Sequence, residues 1–144
     1  MASATRHALA TAKAEISALL GNAELKFASE LFAVSATLAD SAQLRGILSD
    51  PSADQDAKNK LASTIFAKSI SASTLKYVNT LFGYRWSSGR DLVESIELLA
   101  IYAAAAVAAK AKHLDAVEAE LFSFRNAVDS DSELQFALAN KMAS

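Results

Sequence analysis

An all-α fold follows from three features of this 144-residue chain. Glycine and proline are scarce, at four and one, while alanine is abundant, so helices are favoured and tight β-turns have little material. Hydrophobic residues make up 52% and charged residues 21%, a globular composition. Between the breaks, apolar residues recur at spacings of three and four, the period of one helix face.

The first helix is expected over residues 4–20, with Ser3 as N-cap and Gly21 just past its end. Its apolar stripe is Leu9, Ala12, Ile16 and Leu19. A second helix follows Asn22 and runs to about residue 39, with Leu25, Phe27, Leu31, Phe32, Val34 and Leu38 as a broad apolar face. After the break at Asp40 and Ser41 comes a short third helix, residues 42–48, closed by "SDPS". Ser52 to Gln55, "SADQ", reads as a capping box for the fourth helix, which carries Leu61, Ile65 and Phe66 to about residue 67. Ser71 caps a fifth helix, expected from residue 72 to 84 or beyond. The break "SSGRD" precedes a sixth helix that begins near Arg90 and sets Leu92, Ile96, Leu99, Ala103 and Ala106 on its core face. The period continues through Val107, Leu114, Val117 and Leu121. One long helix over residues 90–128 is therefore expected, with a bend near "KAKHLD" as the alternative. A short final helix is expected at 133–140.

The segment "ELFAVSATLADSAQLRGILSD", residues 30–50, is echoed by "ELFSFRNAVDSDSELQFALAN", residues 120–140. Glu120, Leu134 and Leu138 each lie 90 residues after Glu30, Leu44 and Leu48. A helical unit that repeats depends on its neighbours to cover its apolar face. The chain is thus read as a six-helix bundle over residues 1–111, whose long sixth helix extends into the start of a second helical repeat over 112–144, cut from a longer protein; the alternative is chance similarity between two amphipathic helices.

Composition also narrows the chemistry. A net charge of −2 offers no general attraction to nucleic acid or anionic lipid. With no cysteine, disulfide frameworks, thiolate zinc sites and thiol nucleophiles are excluded together. The N-terminal residues lack a signal peptide's long apolar stretch, so export is not expected. The run "LLAIYAAAAVAA", bounded by Glu97 and Lys110, falls short of the roughly 20 apolar residues of a spanning helix and reads as a buried one, without direct membrane insertion. His7 and His113 have no ligand partner one turn on, and Asp115 and Glu118 after His113 read as a solvated face. No phosphate-loop, zinc-protease, nucleophile-elbow or calcium-loop pattern occurs, and "GYRWSSGRD" reads as an interhelical turn. No catalytic residue, metal site or cofactor is expected.

Two helices carry more than a core stripe. In the fifth, Leu75, Val78, Phe82 and Trp86 form one stripe, while Tyr77, Leu81 and Tyr84 form another turned by roughly 110°. The first has a row of small residues, Ala10, Ala14, Ser17 and Ala18. Small side chains allow close approach and a Tyr/Leu ridge supplies apolar area, a pairing suited to a foreign amphipathic helix. The alternative is that both stripes of the fifth helix are covered within the bundle.

The stretch "SAQLRGILSDPSADQDAKNKLASTIFAKSISASTLKYVNTLF" resembles the N-terminal domain of the ATP synthase delta subunit family, whose mitochondrial members are called oligomycin sensitivity-conferring proteins. Leu44, Leu48, Pro51, Lys58, Leu61, Phe66, Ile70, Ser71, Asn79 and Leu81 occupy the family's pattern positions. "GRDLVESI" is similar to the opening of the family's long sixth helix. "TRHALATA" stands where the family shows an arginine-tyrosine segment, with His7 in place of the tyrosine. "YRWSSGRDL" and "ELF" are similar to actinobacterial members, which contain a partial second copy of the helical domain.

The resemblance implies a non-catalytic stator component of the proton-translocating ATP synthase, peripheral on the cytoplasmic face of the plasma membrane. Such a component links the catalytic head to the peripheral stalk. It holds alpha-subunit N-terminal helices, one in a groove between helices 1 and 5, and meets the b subunit through a C-terminal part that is missing here. Ala10, Ala14, Ser17, Ala18, Tyr77, Leu81 and Tyr84 are the expected partner-binding residues, and Leu81→Asp is expected to abolish binding while leaving the bundle folded. Competing readings are a helical interaction or regulatory module unrelated to ATP synthase, a ligand-binding bundle with a polar cavity, and an enzyme built on scattered carboxylates.

Overall fold

Residues 2–19 and 25–130 are described by a computed structural model, except for the side chains at 18, 19, 113, 114, 117, 124 and 128–130. Among them are six helices: α1 (Ser3–Leu19), α2 (Leu25–Ala39), α3 (Ala42–Ser49), α4 (Gln55–Phe66), α5 (Ala72–Phe82) and α6 (Gly89–Ser130). No strand occurs among the described residues. The expected helix at 133–140 and the stop at Gly21 lie outside them. The chain divides into two compact units, Met1–Val107 and Ala108–Ser144, with the boundary inside α6. Through "KAKHLD" the helical backbone is unbroken.

The first unit has one core. Ala8, Ala12 and Ile16 of α1 are buried at a spacing of four, together with Leu31, Val34 and Leu38 of α2 and Leu92, Ile96, Leu99 and Ala103 of α6. Leu25 and Phe32, expected on the α2 core face, are 64% and 41% exposed. Phe32 follows Leu31 by about 100° of helix rotation, so the arc that buries Leu31, Val34 and Leu38 turns Phe32 outward. The stretch Gly89–Lys112 is long and apolar enough to cross a membrane by length and composition. Its inner face nevertheless fills the core of the first unit, the ordinary behaviour of a central helix.

Hydroxyl competition moves one cap. The expected box at Ser52 does not form, because the Ser52 amide and hydroxyl both donate to the Asp50 carboxylate, at 2.9 and 2.7 Å. Asp54 caps α4 instead, accepting from the Ala57 amide at 3.2 Å. Ser41 caps α3 through the Leu44 amide.

Charged groups from neighbouring helices hold both ends of α5. Ser71 occupies its N-cap position without a side-chain cap bond, and the buried Glu30 carboxylate of α2 accepts from the Ser71 amide at 2.7 Å and its hydroxyl at 3.1 Å. At the other end the Lys58 ammonium of α4, 2% exposed, donates to the Phe82 carbonyl at 2.9 Å. Each charge opposes the partial charge of the helix terminus it meets. Burial pushes the Lys58 pKa below the ordinary lysine value, against the opposing pull of Asp50. Glu30→Ala orphans the Ser71 amide and is expected to cost about 1–3 kcal/mol, measured by urea unfolding, whereas Glu30→Gln, which keeps one acceptor, costs less. Equal losses in the two variants would contradict the capping role.

The helix stops at Phe82, short of the expected Tyr84. The Gly83 and Tyr84 amides turn back to the Thr80 and Leu81 carbonyls, and Trp86 Nε1 donates to the Leu81 carbonyl at 2.8 Å, leaving no carbonyl for a further turn. Gly89 opens α6 against α3: a Cβ there would lie 2.9 Å from the Arg45 Cβ and 3.2 Å from its backbone carbonyl, too close for any side chain.

Candidate functional site

Two tyrosines, Tyr77 of α5 and Tyr84 of the turn after it, reach α1. The Tyr77 hydroxyl donates to the Ala12 carbonyl at 2.8 Å, and the Tyr84 hydroxyl donates to the Glu15 carboxylate. Phe27 of α2 backs Tyr77 edge-on, with centroids 5.8 Å apart. The turn that carries Tyr84 is tied to α1 by Thr5. This buried hydroxyl donates to the Asp91 carboxylate at 2.8 Å and accepts from the Ser87 amide at 3.0 Å. Beside these ties lies an open pocket of about 250 Å³, lined by Ala4, His7, Ala8, Thr11, Tyr84 and Arg85.

Two of the expected contact residues are core residues. Tyr77 is 5% exposed and Leu81 fully buried, so their stripe is covered within the bundle and forms no free ridge. The physical reason is that α5 is short and central. It packs on α4 and α2, and α1 takes the remaining flank through the tyrosines. Leu81→Asp is therefore expected to disrupt the fold, not to spare it. Tyr84 is half-buried and faces the pocket. Ala10, Ala14 and Ser17 are exposed, but Ser17 turns toward α6, 3.4 Å from the Tyr102 hydroxyl, and the Lys13 ammonium lies 5.5 Å from the Tyr102 ring centre. Ala18 lies in α1 with its side chain outside the described set.

Sequence reasoning missed five of the six pocket residues. Ala4, His7, Ala8 and Thr11 recur at spacings of three, one and three along an edge of the α1 core face, mixed in size and polarity, and Arg85 sits in a loop with no period to reveal it.

Electrostatics at the tyrosines gives a pH prediction. Burial, then the nearby Glu15 and Tyr84, pushes the Tyr77 hydroxyl above the ordinary tyrosine range; burial and the bond to Glu15 raise Tyr84 to about 12. Both protons are held more tightly in the folded chain, so the unfolded chain releases them first. Stability therefore falls as pH rises above about 10, by up to about 1.4 kcal/mol per pH unit for each tyrosine. Tyr77→Phe should flatten that alkaline slope by one tyrosine's share while losing about 1 kcal/mol at neutral pH. Urea unfolding from pH 8 to 11.5 on both proteins checks this, because the opposing Lys58 contribution is common to the two. Identical slopes would contradict it.

Among the described residues no group of three His, Asp or Glu side chains stands close enough to hold a metal. Fold and site together define an all-helical domain with an open pocket between its first helix and the turn that follows its fifth.

Residues 9–95 match the model of the family described as ATP synthase delta (OSCP) subunit. The chain is 40% identical over 143 residues to the ATP synthase subunit delta of Leifsonia xyli subsp. xyli, covering 99% of this chain and 53% of the relative. It is 40% identical over 146 residues to the subunit delta of Streptomyces griseus subsp. griseus, covering 99% and 54%. With that of Arthrobacter sp. it shares 36% over 152 residues, covering 100% and 55%. The chain belongs to the ATP synthase delta (OSCP) subunit family. It spans about half the length of the curated relatives it matches. The reading as a module unrelated to ATP synthase is set aside by these matches.

Proposed function

We propose that this chain is the head-binding part of a non-catalytic stator component of the proton-translocating ATP synthase, and that the cleft between α1 and α5 takes an N-terminal helix of the alpha subunit. The pocket carries this reading: its lining of alanines, a threonine and a tyrosine ring is open to an apolar side chain, beside small residues that let a helix backbone approach. The family supports the setting, since its members are subunits of that complex.

The task on this reading is mechanical. A stator holds the head against rotor torque, which suits a rigid receptor that binds by apolar burial at a few anchors. The surroundings of α5 fit this: Glu30 and Lys58 hold its ends, and the two tyrosines tie it to α1. Contact with the b subunit of the stalk is assigned to the part of the relatives' length that this chain does not span. On the same reading residues 1–111 are the six-helix bundle and the α6 extension opens the second helical repeat, at the cytoplasmic face of the plasma membrane. No cofactor is proposed.

Calorimetric titration with a synthetic peptide of the alpha-subunit N-terminus from the same organism tests the proposal. Saturable one-to-one binding is expected. No heat and no displacement of a labelled peptide at high micromolar concentration would overturn it.

A further inference from the structure

We propose that the cleft reads charge as well as shape. The pocket takes one aliphatic side chain of the incoming helix, and Arg85, with His7, selects a carboxylate placed beside that anchor. This rests on the helix-binding reading above and specifies the chemistry of the partner.

The distribution of charge around the pocket carries the inference. Of its six lining residues one, Arg85, is a cation, one, His7, is an imidazole that can donate a hydrogen bond, and none is acidic. Two acids that reach this region are already engaged: Glu15 accepts the Tyr84 hydroxyl, and Asp91 accepts the Thr5 hydroxyl. Both His7 and Arg85 are exposed, and no described residue forms a hydrogen bond or ion pair with either side chain. In a chain whose net charge is −2, this end of the cleft thus offers an unpaired guanidinium and an unpaired imidazole at the edge of an apolar pocket. At about 250 Å³ the open pocket has room for an apolar anchor, and the residues flanking that anchor on the partner helix would lie against the rim.

Rim charges of this kind contribute little to raw affinity and more to discrimination, because a like charge facing Arg85 is disfavoured where an opposite one is favoured. Exposed ion pairs are worth only about twofold to fivefold in affinity, so the predicted effect is a modest ranking, not an on–off switch.

The test uses the alpha N-terminal peptide in three versions, with Glu, Gln or Lys at the position one turn from its principal apolar anchor, titrated into the wild-type chain and into Arg85→Glu. The wild type should bind in the order Glu, Gln, Lys, with about a fivefold span. Arg85→Glu, whose thermal transition should match the wild type because Arg85 is exposed, should reverse the order. Equal binding of the three by the wild type, or the same order in Arg85→Glu, would overturn this inference and leave the cleft reading standing. Failure of all three peptides to bind the folded wild type would overturn both.

Discussion

Leu81→Asp should abolish the cooperative unfolding transition of the chain. Leu81 is fully buried in a cluster with Val78 and Phe82 of its own helix and Ile16 and Leu31 of its neighbours. Its carbonyl also receives the Trp86 indole, which shapes the turn into α6. Truncating a buried leucine costs about 2–5 kcal/mol, and an unpaired carboxylate left in an apolar interior adds several more. Together these approach the whole stability of a domain of this size, about 5–15 kcal/mol. Circular dichroism should show reduced helicity at 25 °C and no sigmoidal melt. A native-like melt would mean that Leu81 is not the core residue described above.

Thr11→Trp should do the opposite, removing peptide binding while leaving the melt in place. Thr11 is half-buried on α1 and lines the pocket, and its hydroxyl only bonds back to the His7 carbonyl one turn earlier, at 3.1 Å. Threonine and tryptophan have similar helix propensities, so the helix itself is barely affected. An indole at this position fills the space an anchor needs. An interface that depends on a few anchors should then weaken by at least about a hundredfold, about 2.7 kcal/mol. Thermal midpoints should agree within a few degrees. Undiminished binding would remove the pocket from the account.

The helices were legible because their breaks are chemical: Asp40-Ser41, the proline at position 51 and the Ser87-Ser88-Gly89 run each end a period that spacing alone reveals. The long sixth helix was legible for the complementary reason, that no glycine or proline interrupts it. Caps were less so. Ser52 and Asp54 both suit an N-cap, and only the fold shows that Asp50 captures the Ser52 hydroxyl. The cleft was half legible. Helices 1 and 5 were singled out by their extra stripes, but the pocket is lined by α1 and by Tyr84 and Arg85 in the turn after α5, not by α5 itself. Periodicity gives the angle between two stripes but not which neighbour covers each, so Tyr77 and Leu81 were placed on a surface when α1, α2 and α4 cover them. The tyrosine that does face the pocket, Tyr84, lies past the end of its helix, where a loop sets its direction.

Amide chemical-shift mapping with the alpha N-terminal peptide would show where on the domain a partner helix docks. The largest changes at saturation are expected within residues 4–15 and 76–85. Changes centred instead on the exposed α6 residues Leu98, Ile101 and Tyr102, or none in the α1 and α5 segments, would contradict it.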